Sequence, residues 1–114
     1  MAAARRTTTR PKREKLVDQT LHLSGKRRGA ILKEEVWYEG GRVVKYSLAY
    51  IDPRVCGVDN GRVLGYDNTH EDHHRHFMGD VEEVEFRGYE ALVTRFEREI
   101  HALWKAEDED EEGR

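Results

Sequence analysis

The sequence predicts an α+β domain, an antiparallel β-meander of four to five strands packed against one C-terminal α-helix. Three observations lead there. Apolar and polar residues alternate through much of 17–66, the two-residue period of strands with one buried face. Turn-forming residues interrupt that alternation at Gly40-Gly41, Asp52-Pro53 and Asp59-Asn60-Gly61. From Arg87 onward the period changes to that of an amphipathic helix, whose apolar stripe has only the sheet to bury against.

The first strand rests on Val17, Leu21 and Leu23, which share one parity with Gln19 interrupting. After Ser24-Gly25-Lys26, the stretch Ala30 to Glu39 sets Leu32, Val36 and Tyr38 on one face, with Glu34 as the exception. Gly40-Gly41 then reverses the chain, because only glycine takes positive φ without steric cost. Arg42 to Ile51 is the best-patterned strand, with Val44, Tyr46, Leu48 and Tyr50 on one parity, and is expected at the sheet centre. Asp52-Pro53 ends it, since proline has no N–H for the ladder. Val63-Leu64-Gly65-Tyr66 reads as a short returning strand, the polar stretch Asp67 to Asp72 as a connection, and His73 to Met78 as a short final strand. Tyr89, Leu92, Val93, Phe96, Ile100, Leu103 and Trp104 recur at helical spacing, with Glu90, Arg95, Glu97, Arg98 and Glu99 on the opposite face. In this reading Tyr46 and Tyr50 are core residues.

Composition and charge bound the function classes. One hundred and fourteen residues suffice for one small domain. Residues 1–15 carry six cations (Arg5, Arg6, Arg10, Lys12, Arg13, Lys15) against Glu14, and residues 107–114 carry six carboxylates against Arg114. Blocks of like charge without apolar residues cannot offset the entropy of ordering, so 1–15 is expected as a disordered basic arm, 16–106 as the folded domain, and 107–114 as a disordered acidic tail. The acidic end could also fold back onto the basic patch and mask it. A membrane span is excluded, since the longest apolar run is Leu48-Ala49-Tyr50-Ile51. No secretory signal is expected, because no apolar stretch follows the basic start. Cys56, the single cysteine, rules out an intramolecular disulfide and fits a reducing, cytoplasmic setting.

The residues that carry chemistry are histidines. His70, His73, His74 and His76 fall within seven positions, among Tyr66, Asp67, Asn68, Asp72 and Arg75. A strand puts His74 and His76 on one face, about 7 Å apart, a separation that suits two groups acting on one phosphate. In the leading interpretation they are the acid and base of a metal-independent ribonuclease, with Arg75 stabilising phosphoryl charge and His70 and Asp67 assisting. Histidine suits both tasks because its reference pKa is about 6.5. Lys26, Arg27, Arg28, Tyr66, Asn68 and His73 are the substrate-binding candidates. A second interpretation makes His70, His74, His76 and Asp72 (or Asp67) ligands of a divalent metal, although the spacing matches no standard zinc pattern. A third leaves the histidines as decoration of a polar hairpin. For Asn68 a turn role is favoured over a functional one. From a different class, the chain could be a non-catalytic module that binds nucleic acid or protein through its basic arm.

Lys45-Tyr46-Ser47-Leu48-Ala49-Tyr50, Gly65-Tyr66-Asp67-Asn68-Thr69-His70 and His73-His74-Arg75-His76-Phe77-Met78-Gly79 together resemble the TumE family of toxin–antitoxin proteins. The resemblance spans about residues 16–104, with its motif content concentrated in 45–79. It implies a toxin neutralised by a partner antitoxin with a helix-turn-helix DNA-binding fold. RNA is the expected target and no cofactor is required by the leading interpretation. A homo-oligomer is left open.

Overall fold

The computed structural model describes residues 12–112. Six strands, β1 (Arg13–His22), β2 (Ile31–Glu39), β3 (Arg42–Ile51), β4 (Arg62–His70), β5 (Asp72–Phe77) and β6 (Asp80–Glu83), precede one helix, α1 (Tyr89–Glu112). The strands form a single sheet in sequence order, every neighbour antiparallel. The meander and the helix are as expected, with one strand more. That strand is β6, Asp-Val-Glu-Glu, exposed along its whole length. It has one apolar residue and so carries no alternation from which a strand could be read.

Hairpin turns set the register. Gly40 and Gly41 both take positive φ, as a two-residue reversal between twisted strands requires. Glu71 makes the β4–β5 turn and Met78-Gly79 the β5–β6 turn, all at positive φ. The polar stretch 67–72 is therefore mostly strand and not connection. Asn68 helps explain how: the β3–β4 ladder ends at the Ser47–Asp67 pair, and the Asn68 side chain carries the link to β3 one residue further. Its Oδ1 accepts the Tyr46 N–H and its Nδ2 donates to the Val44 carbonyl, each at 3.0 Å. Asn68 thus stitches β4 to β3 rather than capping its own turn. Its amide is held in place by one bond at each end.

The helix packs on one face of the sheet. Tyr46, Leu48 and Tyr50 of β3 and Leu64 and Tyr66 of β4 are buried beneath Leu92, Phe96 and Ile100. Each buried tyrosine finds a polar partner, because an orphaned hydroxyl in a core is costly. Tyr46 meets His73, Tyr50 donates to Glu107, and Tyr66 donates to Glu99, while the half-buried Tyr89 donates to Glu34. Val63 and Cys56 are also buried, the latter giving its thiol to the Val58 carbonyl. Among the described residues no helix is long and apolar enough to cross a membrane.

Both chain ends depart from the charge-based expectation where they are described. Arg13, Glu14 and Lys15 are part of β1, paired with Glu39, Tyr38 and Trp37 of β2. The rest of the expected basic arm, residues 1–11, lies outside the described residues. At the other end α1 continues to Glu112 instead of stopping before the acidic run. Carboxylates at a helix C-terminus oppose the macrodipole, so something must compensate. Arg27 does: its guanidinium donates to the Trp104 carbonyl at 3.1 Å and to Asp108 at 2.9 Å, and it lies over the Trp104 ring. Lys26 adds a contact to Asp108 at 3.2 Å. Burial alone would raise the Asp108 carboxyl, but Lys26 and Arg27 prevail and hold it below its ordinary value. Lys26 and Arg27 are thus tied to the helix end and not to the histidines, while Arg28 is exposed beside them.

Candidate functional site

Strand alternation splits the histidine segment into two environments. His73 and Arg75 face α1, and His74 and His76 face away from it. The partition follows from register: His74 stands opposite Asp67 and His76 opposite Gly65, while Arg75 stands opposite Tyr66, a core residue beneath the helix.

On the outward face, Asp67, Arg62 and His76 form a contact group. Arg62 Nη2 donates to His76 Nδ1 at 2.9 Å, which makes that nitrogen the acceptor and leaves the ring proton on Nε2. Nε2 lies 2.9 Å from Asp67 Oδ2; the direction suits a charge contact and not a well-aimed hydrogen bond. Arg62 also reaches Asp67 at 3.5 Å and Asp59 at 2.7 Å. The His76 and Asp67 side chains are 14% and 12% exposed, so this imidazole is mostly covered. His74, half-buried beside it, has no hydrogen bond or ion pair among the described residues.

Gly65 makes the arrangement sterically feasible. A Cβ there would stand 2.6 Å from Arg62 Cδ and 3.0 Å from the Leu48 carbonyl oxygen. Without a side chain at 65, Arg62 can lie across its own strand and reach His76. Neither Arg62 nor Asp59 stands out in the sequence. The only signal is an arginine three residues before a glycine in a strand, and that pattern gains meaning only when β5 lies alongside.

On the helix face, Arg75 Nη2 donates to Glu99 at 2.7 Å and its Nε to the same carboxylate at 3.1 Å. Tyr66 also donates to Glu99, and burial followed by that carboxylate pushes its hydroxyl up to about 12. Glu99, expected on the polar face of the helix, instead turns toward the sheet to meet these two groups. Arg75 is therefore not beside His74 and His76, and the phosphate-stabilising role expected for it does not fit its position. His73 Nδ1 lies 2.9 Å from the Tyr46 hydroxyl, and its ring stacks on Phe86 at 4.0 Å between centroids. Burial holds the His73 imidazole below its usual value.

The remaining candidates scatter. His70 is exposed at the end of β4, opposite the exposed Asp72 across the turn. Among the described residues no three His, Cys, Asp or Glu side chains converge to hold a metal ion, so His70, His74, His76 and Asp72 are not gathered as a ligand set. Two histidines, one carboxylate and one guanidinium remain together, a set suited to moving protons next to an anion.

Neither the search of curated proteins nor that of solved structures returned a match. A family model described as Toxin TumE matches residues 7–103, a span that includes all six strands and most of α1. That family implies an antitoxin partner, and the match covers most of the 114 residues, so the chain belongs to the toxin TumE family.

Proposed function

We propose that this toxin is a metal-independent ribonuclease whose site is His74, His76, Asp67 and Arg62. The observation that carries the reading is the Asp67–His76–Arg62 contact group with an unpaired His74 two residues away on the same face. Arg62 takes the role that the sequence pattern suggests for Arg75. A phosphodiester arriving at this face competes for the Arg62 guanidinium, whose planar fork suits phosphate oxygens. Its transfer uncovers the lone pair of His76 Nδ1. That nitrogen removes the proton of a ribose 2′-OH while Asp67 offsets the charge of the resulting imidazolium, as carboxylates do beside catalytic histidines. The 2′-oxygen bonds to phosphorus, the bond from phosphorus to the 5′-oxygen breaks, and protonated His74 supplies the proton that the leaving oxygen needs. The products are a 2′,3′-cyclic phosphate and a free 5′-OH.

Purified protein should cleave single-stranded RNA in excess chelator and leave those ends. His74→Ala and His76→Ala should each lower the rate by about 10²–10⁴, the usual worth of a positioned acid or base. Full toxicity and full cleavage in the double alanine variant would remove this reading, and loss of activity on chelation would replace it with a metal-dependent one. A helix-turn-helix antitoxin is the proposed partner, and its binding should silence both cleavage and growth inhibition.

A further inference from the structure

The outward face of the sheet carries a second feature that the histidine chemistry does not use. Trp37 of β2 stands between Lys15 of β1 and Lys45 of β3 in register. Both ammonium groups lie over its ring, at 4.9 and 4.7 Å from the centroid. Register places this group on the same face as the histidine site: Lys45 is two residues before Ser47, Ser47 is opposite Asp67, and Asp67 is opposite His74. Three strand spacings across the sheet and two residues along it separate Trp37 from His74, about 16 Å. The row that leads to His74 holds Glu35, which is paired with Lys15 and Lys33, then the short Ser47, then Asp67 of the site itself. Unlike the helix face, where Tyr46, Tyr50 and Tyr66 are packed beneath α1 or its approach, this face offers a half-buried indole with no helix over it.

We propose that Trp37, with Lys15 and Lys45, is a stacking subsite for one unpaired base of single-stranded RNA whose backbone continues to the histidine site. The substrate class rests on the ribonuclease reading above; the subsite itself rests on the aromatic–lysine group and its face. Single-stranded nucleic acids bind sheets through aromatic side chains that accept any base, with cations tracking the backbone. Lys45 has no carboxylate partner among the described residues. Lys15 is held by Asp18 at 3.0 Å and Glu35 at 3.3 Å. Lys45 is therefore the cation free to leave the ring face when a base enters and to meet the phosphate beside that base. The subsite sets how far the bound strand extends from the scissile bond, and so favours substrates unpaired for several nucleotides.

The test is titration of short single-stranded polyuridine into the full chain, following tryptophan fluorescence and affinity, with cleavage of a longer RNA measured separately. The wild type and the His74→Ala/His76→Ala protein should both bind with quenching. Trp37→Ala should weaken binding at least about five-fold, and Trp37→Phe should retain part of the affinity while losing the quench. Lys45→Ala should lower the salt dependence of binding. Unaltered affinity in Trp37→Ala, or quenching that persists in Trp37→Phe, overturns the subsite and leaves the histidine mechanism standing. Trp37-dependent binding in a protein that cleaves normally without His74 and His76 does the reverse. Absence of RNA binding with quenching by the antitoxin alone also overturns the subsite, since the face then serves a protein.

Discussion

The two faces of β5 are built from neighbouring residues of the same kinds, and they differ in what each side chain is free to do. Arg75 on the helix face is fixed by Glu99, with the Tyr66 hydroxyl 3.2 Å from its Nε, and His73 is stacked on Phe86 and bonded to Tyr46. On the outward face Arg62 and His76 hold each other, and His74 has no hydrogen-bonding or ionic partner among the described residues. Residues fixed beneath the helix contribute stability, and residues paired on the uncovered face, as Arg62 is with Asp59, Asp67 and His76, can exchange one of those partners for a ligand. Position on one side or other of a strand, and not residue type, decides which arginine and which histidines are available for chemistry.

That comparison is broken most directly through its two arginines. Arg62→Ala should lower RNA cleavage per folded molecule by about 10²–10³, the scale of losing one well-placed donor to transition-state charge. It should also cost stability, because the Arg62 side chain is 20% exposed and pairs with Asp59, Asp67 and His76. Arg75→Ala should cost stability alone. Its guanidinium and the Glu99 carboxylate are 19% and 22% exposed, and truncation leaves that carboxylate half-buried with less compensation. A stability loss of about 2 kcal/mol is expected in urea unfolding, with cleavage per folded molecule retained. If Arg75→Ala abolishes cleavage and Arg62→Ala does not, the functional face is the one under the helix.

How far these faces were legible beforehand depends on the length scale of the signal. The meander and the helix follow from periodicity, which each element carries within itself: β3 alternates through Tyr46, Leu48 and Tyr50, and all three are buried. The same alternation puts His74 and His76 together and apart from Arg75, although composition alone groups all three. What the alternation could not supply is the identity of cross-strand and helix partners. Arg62 reaches His76 across 14 positions of sequence, and Glu99 reaches Arg75 across 24. Both depend on register, which shifts between Asp67 and His70 on either side of Asn68, a residue that reads locally as a turn former and instead bonds its side chain to β3. The acidic tail shows the same limit. Its charge predicts disorder, and the groups that hold it to the fold as a helix, Lys26 and Arg27 from the β1–β2 connection and Tyr50 of β3, are distant in sequence.

The comparison extends to His73, where the effect is the smallest and the sign is definite. Burial disfavours the imidazolium, the neighbouring His74 opposes it further, and Asp72 only partly offsets them, so the folded chain holds this histidine below its ordinary value. The unfolded chain titrates near the reference value of about 6.5. Between the lowered folded value and that reference, the unfolded state binds a proton that the folded state declines. Stability therefore rises with pH across this window and is lost as pH falls through it. His73→Gln keeps an acceptor for the Tyr46 hydroxyl and removes the titration. Unfolding midpoints measured from neutral to mildly acidic pH should fall less steeply for His73→Gln than for the wild type. An identical slope in the two proteins would mean that His73 accepts its proton in place, through a rotation away from Tyr46 and Phe86 that opens the helix face to water as the outward face already is.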